Sequence, residues 1–445
     1  MKILFISLGC DKNLVDTEMM LGMLSEHGHE FTDDENEAEA VVVNTCCFIN
    51  DAKEESIQVL IEMGERRKAG DLRALIAAGC LAQRYQDEIL TEIPEVDAIV
   101  GTTAIDKIVD ALNNVLNGNS HNELKSIHEK PVTGKKRIVT TGGHFAYLKI
   151  AEGCDKHCTY CIIPKVRGDF RSVPMENLLD EAKTLVESGV KELILVAQET
   201  TMYGVDLYGQ KSLPLLLKKL CEIPGLVWIR ILYCYPEEMD EELMEAIATE
   251  EKVCKYLDIP IQHACNRILG RMGRKTTKEE LISTITKLRE RIPEICIRTT
   301  LITGFPGETV REHKELMEFV KEMRFDRLGV FTYSQEEDTP AANMKGQISE
   351  FIKKQRQKQL MKLQQKIAFE KAEETVGQTM SVLIEGSLPE DGVYVGRSYK
   401  DAPNVDGYVF VKADRSLMTG DFVTVKITGS SQYDLIGEIE DEFTE

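Results

Sequence analysis

Short apolar runs that alternate with helical patterns are the feature that most limits what this chain can fold into. Within the first 117 residues, the runs KILFISLGC, AVVVNTC, RALIAAGC and DAIVGT each precede a segment with the apolar spacing of a helix. Continuous apolar runs of this kind are typical of parallel strands that helices cover on both faces. The sequence therefore predicts a doubly wound parallel α/β domain over residues 1–117.

A second alternating series has six strand–helix steps, beginning with YLKIAEG and ending with RLGVFTYS. A closed barrel of this type needs eight steps, so six predict an open, TIM-like (βα)6 barrel over residues 146–374. The preceding segment 118–145 is polar and without a sustained period, which predicts a linker. Five short β runs at the end predict a small antiparallel β-barrel of the OB type over residues 375–445.

Composition and charge limit the environment and the partners of the protein. The chain has 445 residues, 12 cysteines and a formal net charge of −21. No apolar run reaches the ~18 residues that a membrane span needs, and the N-terminus turns polar too early for a signal peptide, so we expect a cytoplasmic protein. In that reducing compartment, clustered cysteines indicate metal binding rather than disulfides. The acidity argues against strong binding to RNA phosphates.

Three cysteines of the first domain follow predicted strands directly. Cys10, Cys46 and Cys80 each stand at the carboxyl end of a different strand. Because ligands of open parallel sheets bind at that edge, we predict that the three thiols share one site. A cysteine is also often a small core residue, and this alternative stays open for each of them. Cys47 would point away from Cys46 along an extended chain, so we do not count it as a ligand.

The segment CDKHCTYC places Cys154, Cys158 and Cys161 on the loop after the first strand of the predicted barrel. A structural zinc site needs four ligands, and no obvious fourth lies nearby. Three thiolates suit a [4Fe–4S] cubane that keeps one iron free for a substrate or cofactor. A zinc site completed by a distant residue, and a cluster that only transfers electrons, remain as alternatives.

This Cys-x3-Cys-x-aromatic-Cys spacing after a first barrel strand resembles the radical S-adenosylmethionine (SAM) superfamily. The resemblance implies that the free iron chelates SAM and that reduction yields a 5′-deoxyadenosyl radical. Two further segments, VAQET and RTTLITGFPGET, resemble the second-strand and fifth-strand motifs of that superfamily. By this resemblance, the residues that contact SAM are Tyr160, through its backbone at adenine, Gln198 and Glu199, at the amino group, and Arg298.

An α/β domain with three cysteines, a radical SAM barrel and a terminal β-barrel together resemble the domain plan of the methylthiotransferases. The segments VNTCCFINDAKEES and AAGCLAQRY resemble that family's N-terminal signatures, and the likeness covers nearly the whole chain. It implies that Cys10, Cys46 and Cys80 hold a second [4Fe–4S] cluster, on which the transferred sulfur is delivered. It also implies that the terminal barrel is a TRAM domain, and that a low-potential electron donor and a sulfur donor are partners.

Two branches of this family differ in substrate: one modifies an adenosine of transfer RNA, the other an aspartate β-carbon of ribosomal protein S-twelve, free or on the small subunit. SLGCDKNLVDTE and RGDFRS resemble the ribosomal-protein branch. Residues 377–445 carry 13 acidic and 5 basic side chains, which favours a basic protein over RNA. We therefore expect the ribosomal protein as substrate, with one SAM as radical source and a second as methyl donor. We also expect Asp401, Asp406 and Asp414 to be exposed docking charges.

Two other functions stay open on the sequence. One is the transfer RNA methylthiotransferase of the related branch. The other is a non-enzymatic protein with two fully ligated clusters that passes electrons and does not bind SAM.

Overall fold

The computed structural model describes residues 1–119, 122–388 and 392–440. The predicted assignments of residues 120–121 to the linker, and of 389–391 and 441–445 to the terminal barrel, lie outside the described residues. Within the described ranges, no helix has both the length and the apolar character that a membrane crossing requires.

Five strands and five helices form the N-terminal domain. The strands are β1 (Lys2–Ser7), β2 (Glu30–Phe31), β3 (Ala40–Thr45), β4 (Ala74–Ala78) and β5 (Ala98–Val100). The helices are α1 (Asp11–Glu26), α2 (Asn50–Ala69), α3 (Gly79–Arg84), α4 (Gln86–Glu92) and α5 (Ile108–Leu116).

All strand pairs of this sheet are parallel, in the order β2-β1-β3-β4-β5, which confirms the predicted doubly wound fold. Every residue of β3 and β4 is buried, and their side chains alternate between two cores on opposite faces of the sheet. The strand β2 has only two residues and no apolar run, so the sequence pattern does not predict it.

The central domain contains eight strands and nine helices. The strands are β6 (Phe145–Lys149), β7 (Ala151–Glu152), β8 (Arg171–Ser172), β9 (Glu192–Val196), β10 (Trp228–Ile231), β11 (Val253–Asp258), β12 (Cys296–Thr303) and β13 (Arg327–Thr332). The helices are α6 (Ile163–Arg167), α7 (Met175–Glu187), α8 (Val205–Tyr208), α9 (Leu213–Cys221), α10 (Glu241–Thr249), α11 (Asn266–Arg271), α12 (Lys278–Arg291), α13 (Val310–Met323) and α14 (Glu350–Glu374).

Six of these strands form one parallel sheet in the consecutive order β6-β9-β10-β11-β12-β13, as predicted for an open barrel, while β7 and β8 form a small antiparallel ribbon. The outward side chains of the sheet, such as Leu148 and Leu195, share a core with the surrounding helices. The inward side chains, such as Tyr147 and Ile194, instead share a core with the N-terminal domain and with Leu383 of the terminal barrel.

The terminal domain is a closed five-stranded barrel in the order β14-β15-β16-β18-β17. Its strands are β14 (Thr379–Leu388), β15 (Val393–Ser398), β16 (Val409–Lys412), β17 (Phe422–Ser431) and β18 (Asp434–Ile439). Four pairings are antiparallel as predicted, but β16 and β18 are parallel. Closing the barrel brings together two strands that run in the same direction, and single-strand patterns carry no information on that closure.

Residues 122–144, which lie within the predicted linker 118–145, contain no helix or strand but are held against the first domain, and residue 145 already belongs to β6. The buried side chain of Arg137 donates hydrogen bonds to Glu18 on α1 at 2.7 Å and to the carbonyl of Tyr147 at 2.6 Å. Its guanidinium also lies 2.9 Å from Glu181 on α7. The linker therefore ties α1 to the start of the barrel.

The connection between β15 and β16 inserts two carboxylates into the inner face of the open barrel. Asp401 and Asp406 both pair with Arg327, and Asp406 also lies 3.6 Å from Arg298. The prediction that these two aspartates are exposed docking charges is therefore wrong, whereas Asp414 is exposed. Charge counting misses this difference because the partner arginines come from another domain.

Replacing Asp401 by Asn tests whether these pairs hold the terminal barrel in place. The change leaves Arg327 with one carboxylate fewer in a largely buried site, so we expect the full chain to lose about 3 kcal/mol of stability. Asp414→Asn removes the same charge from an exposed position and should change stability by less than about 0.5 kcal/mol. Urea denaturation followed by near-ultraviolet circular dichroism measures both. Equal effects of the two variants would contradict the assignment.

Candidate active site

The three cysteines of the N-terminal domain lie at the carboxyl edge of its sheet. Cys10 directly precedes α1, Cys46 directly follows β3, and Cys80 is the second residue of α3. Gly9 has a φ of +94°, and a Cβ at this position would lie 2.8 Å from the Cys46 sulfur. The loops that carry Cys10 and Cys46 are therefore in direct contact.

Asn13 connects these loops to the third one. Its amide nitrogen donates hydrogen bonds to the carbonyls of Leu8 at 2.9 Å and Thr45 at 3.0 Å, while its amide oxygen lies 3.7 Å from the Cys80 sulfur. Cys47 is buried in the core that also contains Cys80, and burial raises the pKa of its thiol to about 12. The structure thus brings Cys10, Cys46 and Cys80 to one edge, and the exclusion of Cys47 as a ligand stays a prediction.

The second cysteine triad lies on the loop between β7 and α6, at the carboxyl edge of the open barrel. The amide of Cys154 donates to the carbonyl of Gly168 at 3.1 Å, and that of Thr159 donates to Met272 at 2.9 Å. His157 turns the chain with a φ of +49°, in the left-handed region. These contacts fix the backbone on which Cys154, Cys158 and Cys161 are displayed.

Each triad offers three thiols at the carboxyl edge of a parallel sheet, which is the ligand set of a cubane with one open iron. Within the described residues, no three His, Cys, Asp or Glu side chains are placed to share one metal ion. A cubane distributes its thiolates over separate irons and so needs sulfurs that are further apart. Burial raises the pKa of Cys154 to about 12, so this thiol needs a metal or a cation to become the thiolate that binds iron.

Gln198 and Glu199 follow β9 and present hydrogen-bond acceptors that lack a partner. Gln198 donates from its amide nitrogen to Glu152 at 3.2 Å, but its buried amide oxygen accepts no hydrogen bond. In Glu199, one carboxylate oxygen accepts from the Thr201 amide at 3.0 Å, and the other has only Lys156 at 3.8 Å. Burial raises the pKa of Glu199 to about 7. These acceptors suit a cationic or amino group.

Arg274, which no sequence motif indicates, lies near the same triad with an unsatisfied guanidinium. It stacks on Tyr235 at 4.3 Å, and the hydroxyl of Tyr235 lies 3.6 Å from the Cys158 sulfur. One terminal nitrogen donates to Glu237 at 2.9 Å, but Nε and Nη1 are buried without a partner. Unpaired buried donors are costly. The site therefore offers free donors for an anion as well as free acceptors for an amine.

Tyr160 lines a cavity of about 180 Å³ that reaches residues of both domains. Phe48, two residues after Cys46, forms part of the opposite wall, so the cavity lies between the two cysteine loops. Its volume is below the 300–1,000 Å³ that is usual for a whole small molecule, so it suits one part of a ligand. Gln262 and Glu336 each contribute a buried oxygen without a hydrogen bond to this wall.

Arg298 is placed differently from the other predicted SAM contacts. Its guanidinium lies 3.6 Å from Asp258 and 3.6 Å from Asp406, at the junction with the terminal barrel. Carboxylates therefore already surround this cation, and its contact with SAM stays a prediction.

Comparison with protein families divides the chain into three matched segments. Residues 2–101 match the uncharacterized protein family UPF0004, residues 148–320 the radical SAM superfamily, and residues 376–439 the TRAM domain.

Similar full-length proteins share one name, ribosomal protein uS12 methylthiotransferase RimO. That of Lachnoclostridium phytofermentans is 61% identical over 99% of this chain and 100% of its own length. Those of Thermoanaerobacter sp. and Clostridioides difficile are 50% and 49% identical over 97% and 99% of this chain, and over 98% and 99% of their own lengths.

Solved structures with much lower identity share the fold. The radical SAM methyltransferase TsrM of Kitasatospora setae, solved with cobalamin and a [4Fe–4S] cluster, has a TM-score of 0.56 at 13% identity and covers 88% of this chain and 80% of its own. The cobalamin-dependent SAM radical enzyme OxsB has a TM-score of 0.51 at 13% identity and covers 81% of this chain and 56% of its own.

Gly9 offers a test of the first triad that leaves every cysteine in place. In Gly9→Ala the new methyl group meets Cys46 and the backbone is strained, so we expect iron content to fall by about half, from two cubanes to one. Gly70→Ala is the matched control, because Gly70 has a similar φ of +89° but open space around it. It should cost about 1 kcal/mol of stability without loss of iron. An unchanged iron content in Gly9→Ala would show that cluster binding does not need the close contact between the loops of Cys10 and Cys46.

Proposed function

The chain belongs to the RimO family of methylthiotransferases, and we propose that it adds a methylthio group to the β-carbon of an aspartate in ribosomal protein uS12, the S-twelve protein. Identity of 61% over the full length of a relative with that name carries the proposal. The geometry supports it, since loops from two cysteine triads in different domains border one cavity. A protein that only passes electrons would need neither a cluster with an open coordination position nor unpaired buried polar groups beside it.

The residues fit two [4Fe–4S] clusters, one held by Cys10, Cys46 and Cys80 and the other by Cys154, Cys158 and Cys161. SAM, when bound, supplies the 5′-deoxyadenosyl radical that removes an unactivated hydrogen, and a second SAM supplies the methyl group. The role of the protein is to bind, orient and shield these groups.

The unpaired groups near Cys158 match the zwitterionic end of SAM. In our proposal, Gln198 and Glu199 accept hydrogen bonds from its amino group, and Arg274 binds its carboxylate with Nε and Nη1. The adenine ring would lie in the cavity beside Tyr160, where Gln262 and Glu336 provide acceptors for its amino group. Each of these contacts satisfies a buried polar atom that otherwise has no partner.

Substrate choice follows from charge. The terminal region has 13 acidic and 5 basic residues in its sequence. Although Asp401 and Asp406 pair with arginines of the central domain, the remaining acidic excess favours a basic protein over phosphate. Asp414 remains an exposed candidate for such docking. The reaction also needs a low-potential electron donor and a sulfur donor. We place these two donors and uS12, either free or on the small subunit, in the cytoplasm.

Reconstituted protein incubated with isolated uS12 or with transfer RNA tests the proposed reaction. We expect methylthiolated uS12 by mass spectrometry and unmodified transfer RNA. Cys158→Ala should abolish SAM cleavage, whereas Cys46→Ala should still release 5′-deoxyadenosine without forming product, because the two triads belong to different domains. Modification of transfer RNA alone would make the related branch the better assignment. Full product with Cys46→Ala would reassign that ligand, with Cys47 the next to test.

Arg274→Lys tests the SAM carboxylate contact. Lysine keeps the charge but loses the planar pair of donors, so we expect SAM to bind at least about tenfold more weakly. Iron content should not change, since Arg274 holds no cluster. Arg271→Lys is the control, because the Arg271 guanidinium donates to the carbonyl of Pro306 at 3.2 Å instead. Equilibrium dialysis with labelled SAM gives both dissociation constants. Equal weakening in the two variants would reject the contact.

A further inference from the structure

Arg167 follows the second cysteine triad closely in the chain, and its side chain reaches a cysteine of the first triad. It is the last residue of α6, six positions after Cys161, and its side chain is 1% exposed. Its Nε lies 3.3 Å from the sulfur of Cys80, in the other domain. The residue comes from the RGDFRS segment, to which the proposed reaction assigns no task.

Three of the four remaining N–H donors of this guanidinium are used. Nη1 donates to Asp16 at 2.9 Å and to Glu152 at 2.7 Å, while Nη2 donates to the Asn13 amide oxygen at 2.5 Å. Lys149 also pairs with Asp16 and lies 3.6 Å from Glu152. Two cations and two carboxylates thus balance each other, which is how a buried ionic group is tolerated. The rigid fork of arginine leaves Nε aimed at sulfur.

We propose that Arg167 is a positioning residue whose N–H···S hydrogen bond to Cys80 fixes the N-terminal cluster against the SAM domain and raises its reduction potential. The proposal rests on the assignment of that cluster under the proposed function. Hydrogen bonds to ligand sulfurs stabilise the reduced, more negative cluster and so raise its reduction potential.

The same contacts lead to the SAM site. Glu152, which accepts from Arg167, also accepts from Gln198 at 3.2 Å, and Asn13, on the other side, binds the loops of Cys10 and Cys46. A single hydrogen-bonded network therefore runs from Cys80 through Arg167 and Glu152 to Gln198. Loss of the Arg167 guanidinium should change the N-terminal cluster directly. Within the described residues, the guanidinium contacts a ligand of that cluster and no ligand of the other.

The test uses Cys158→Ala protein, in which only the N-terminal cluster remains. Redox titration followed by electron paramagnetic resonance should give a more negative midpoint potential when Arg167→Lys is added, with iron content unchanged. Arg171→Lys is the matched control from the same segment, because Arg171 donates to the carbonyls of Asp169 and Arg167 and not to sulfur. It should leave the potential where it is. An unchanged potential in Arg167→Lys would overturn the proposal.

A second measurement does not depend on the stability of a variant at Arg167. Cys158→Ala protein labelled with ¹⁵N-arginine should show a ¹⁵N coupling to the reduced cluster in pulsed paramagnetic resonance. Absence of that coupling would overturn the inference while leaving the proposed function intact. If Cys158→Ala protein held no cluster at all, the two-cluster assignment would fail, and the inference with it.

Discussion

An open barrel leaves the inner face of its sheet uncovered, and the rest of this structure depends on how that face is buried. Inward side chains such as Tyr147, Ile194 and Trp228 join one core with Met20 of α1 and Leu383 of the terminal barrel. Burying apolar surface contributes roughly 25 cal/mol per Å², so this shared core is a major source of cohesion between domains. The domains that carry the two cysteine triads are packed together by the same surface that completes the barrel.

Buried ions at the same junction set the angle between the domains. Glu192 on β9 accepts from Arg230 at 2.7 Å and from Arg397 of the terminal barrel at 2.7 Å, and all three side chains are fully buried. Buried pairs of this kind add little net stability over apolar packing, but breaking one is costly. We interpret the apolar core as the source of affinity between the domains and the ions as what selects one arrangement.

Local patterns in the sequence predict most of the strands and place the cysteines at strand ends, but they miss the two-residue strand β2 and the parallel pairing of β16 with β18. The cysteines could be located because strand ends are readable from apolar runs, and Gln198 and Glu199 because they follow a clear strand. Arg274 could not be found in this way, since its importance comes from Tyr235 and Cys158, which are distant in sequence. The burial of Asp401 is likewise invisible, because Arg327 belongs to a different domain. Local sequence patterns do not reveal contacts between side chains that are distant in sequence or belong to different domains.

The buried aspartates between β15 and β16 have a consequence for how this protein can be divided. A terminal β-barrel on a long helix looks like an interchangeable recognition unit. Here its connecting loop supplies counter-ions to Arg298 and Arg327, and its residue Leu383 fills part of the inner face of the open barrel. Exchanging it for the barrel of an RNA-modifying relative would therefore strip charges and packing from the catalytic domain. The terminal barrel is therefore a structural part of the central domain and cannot be exchanged as an independent unit.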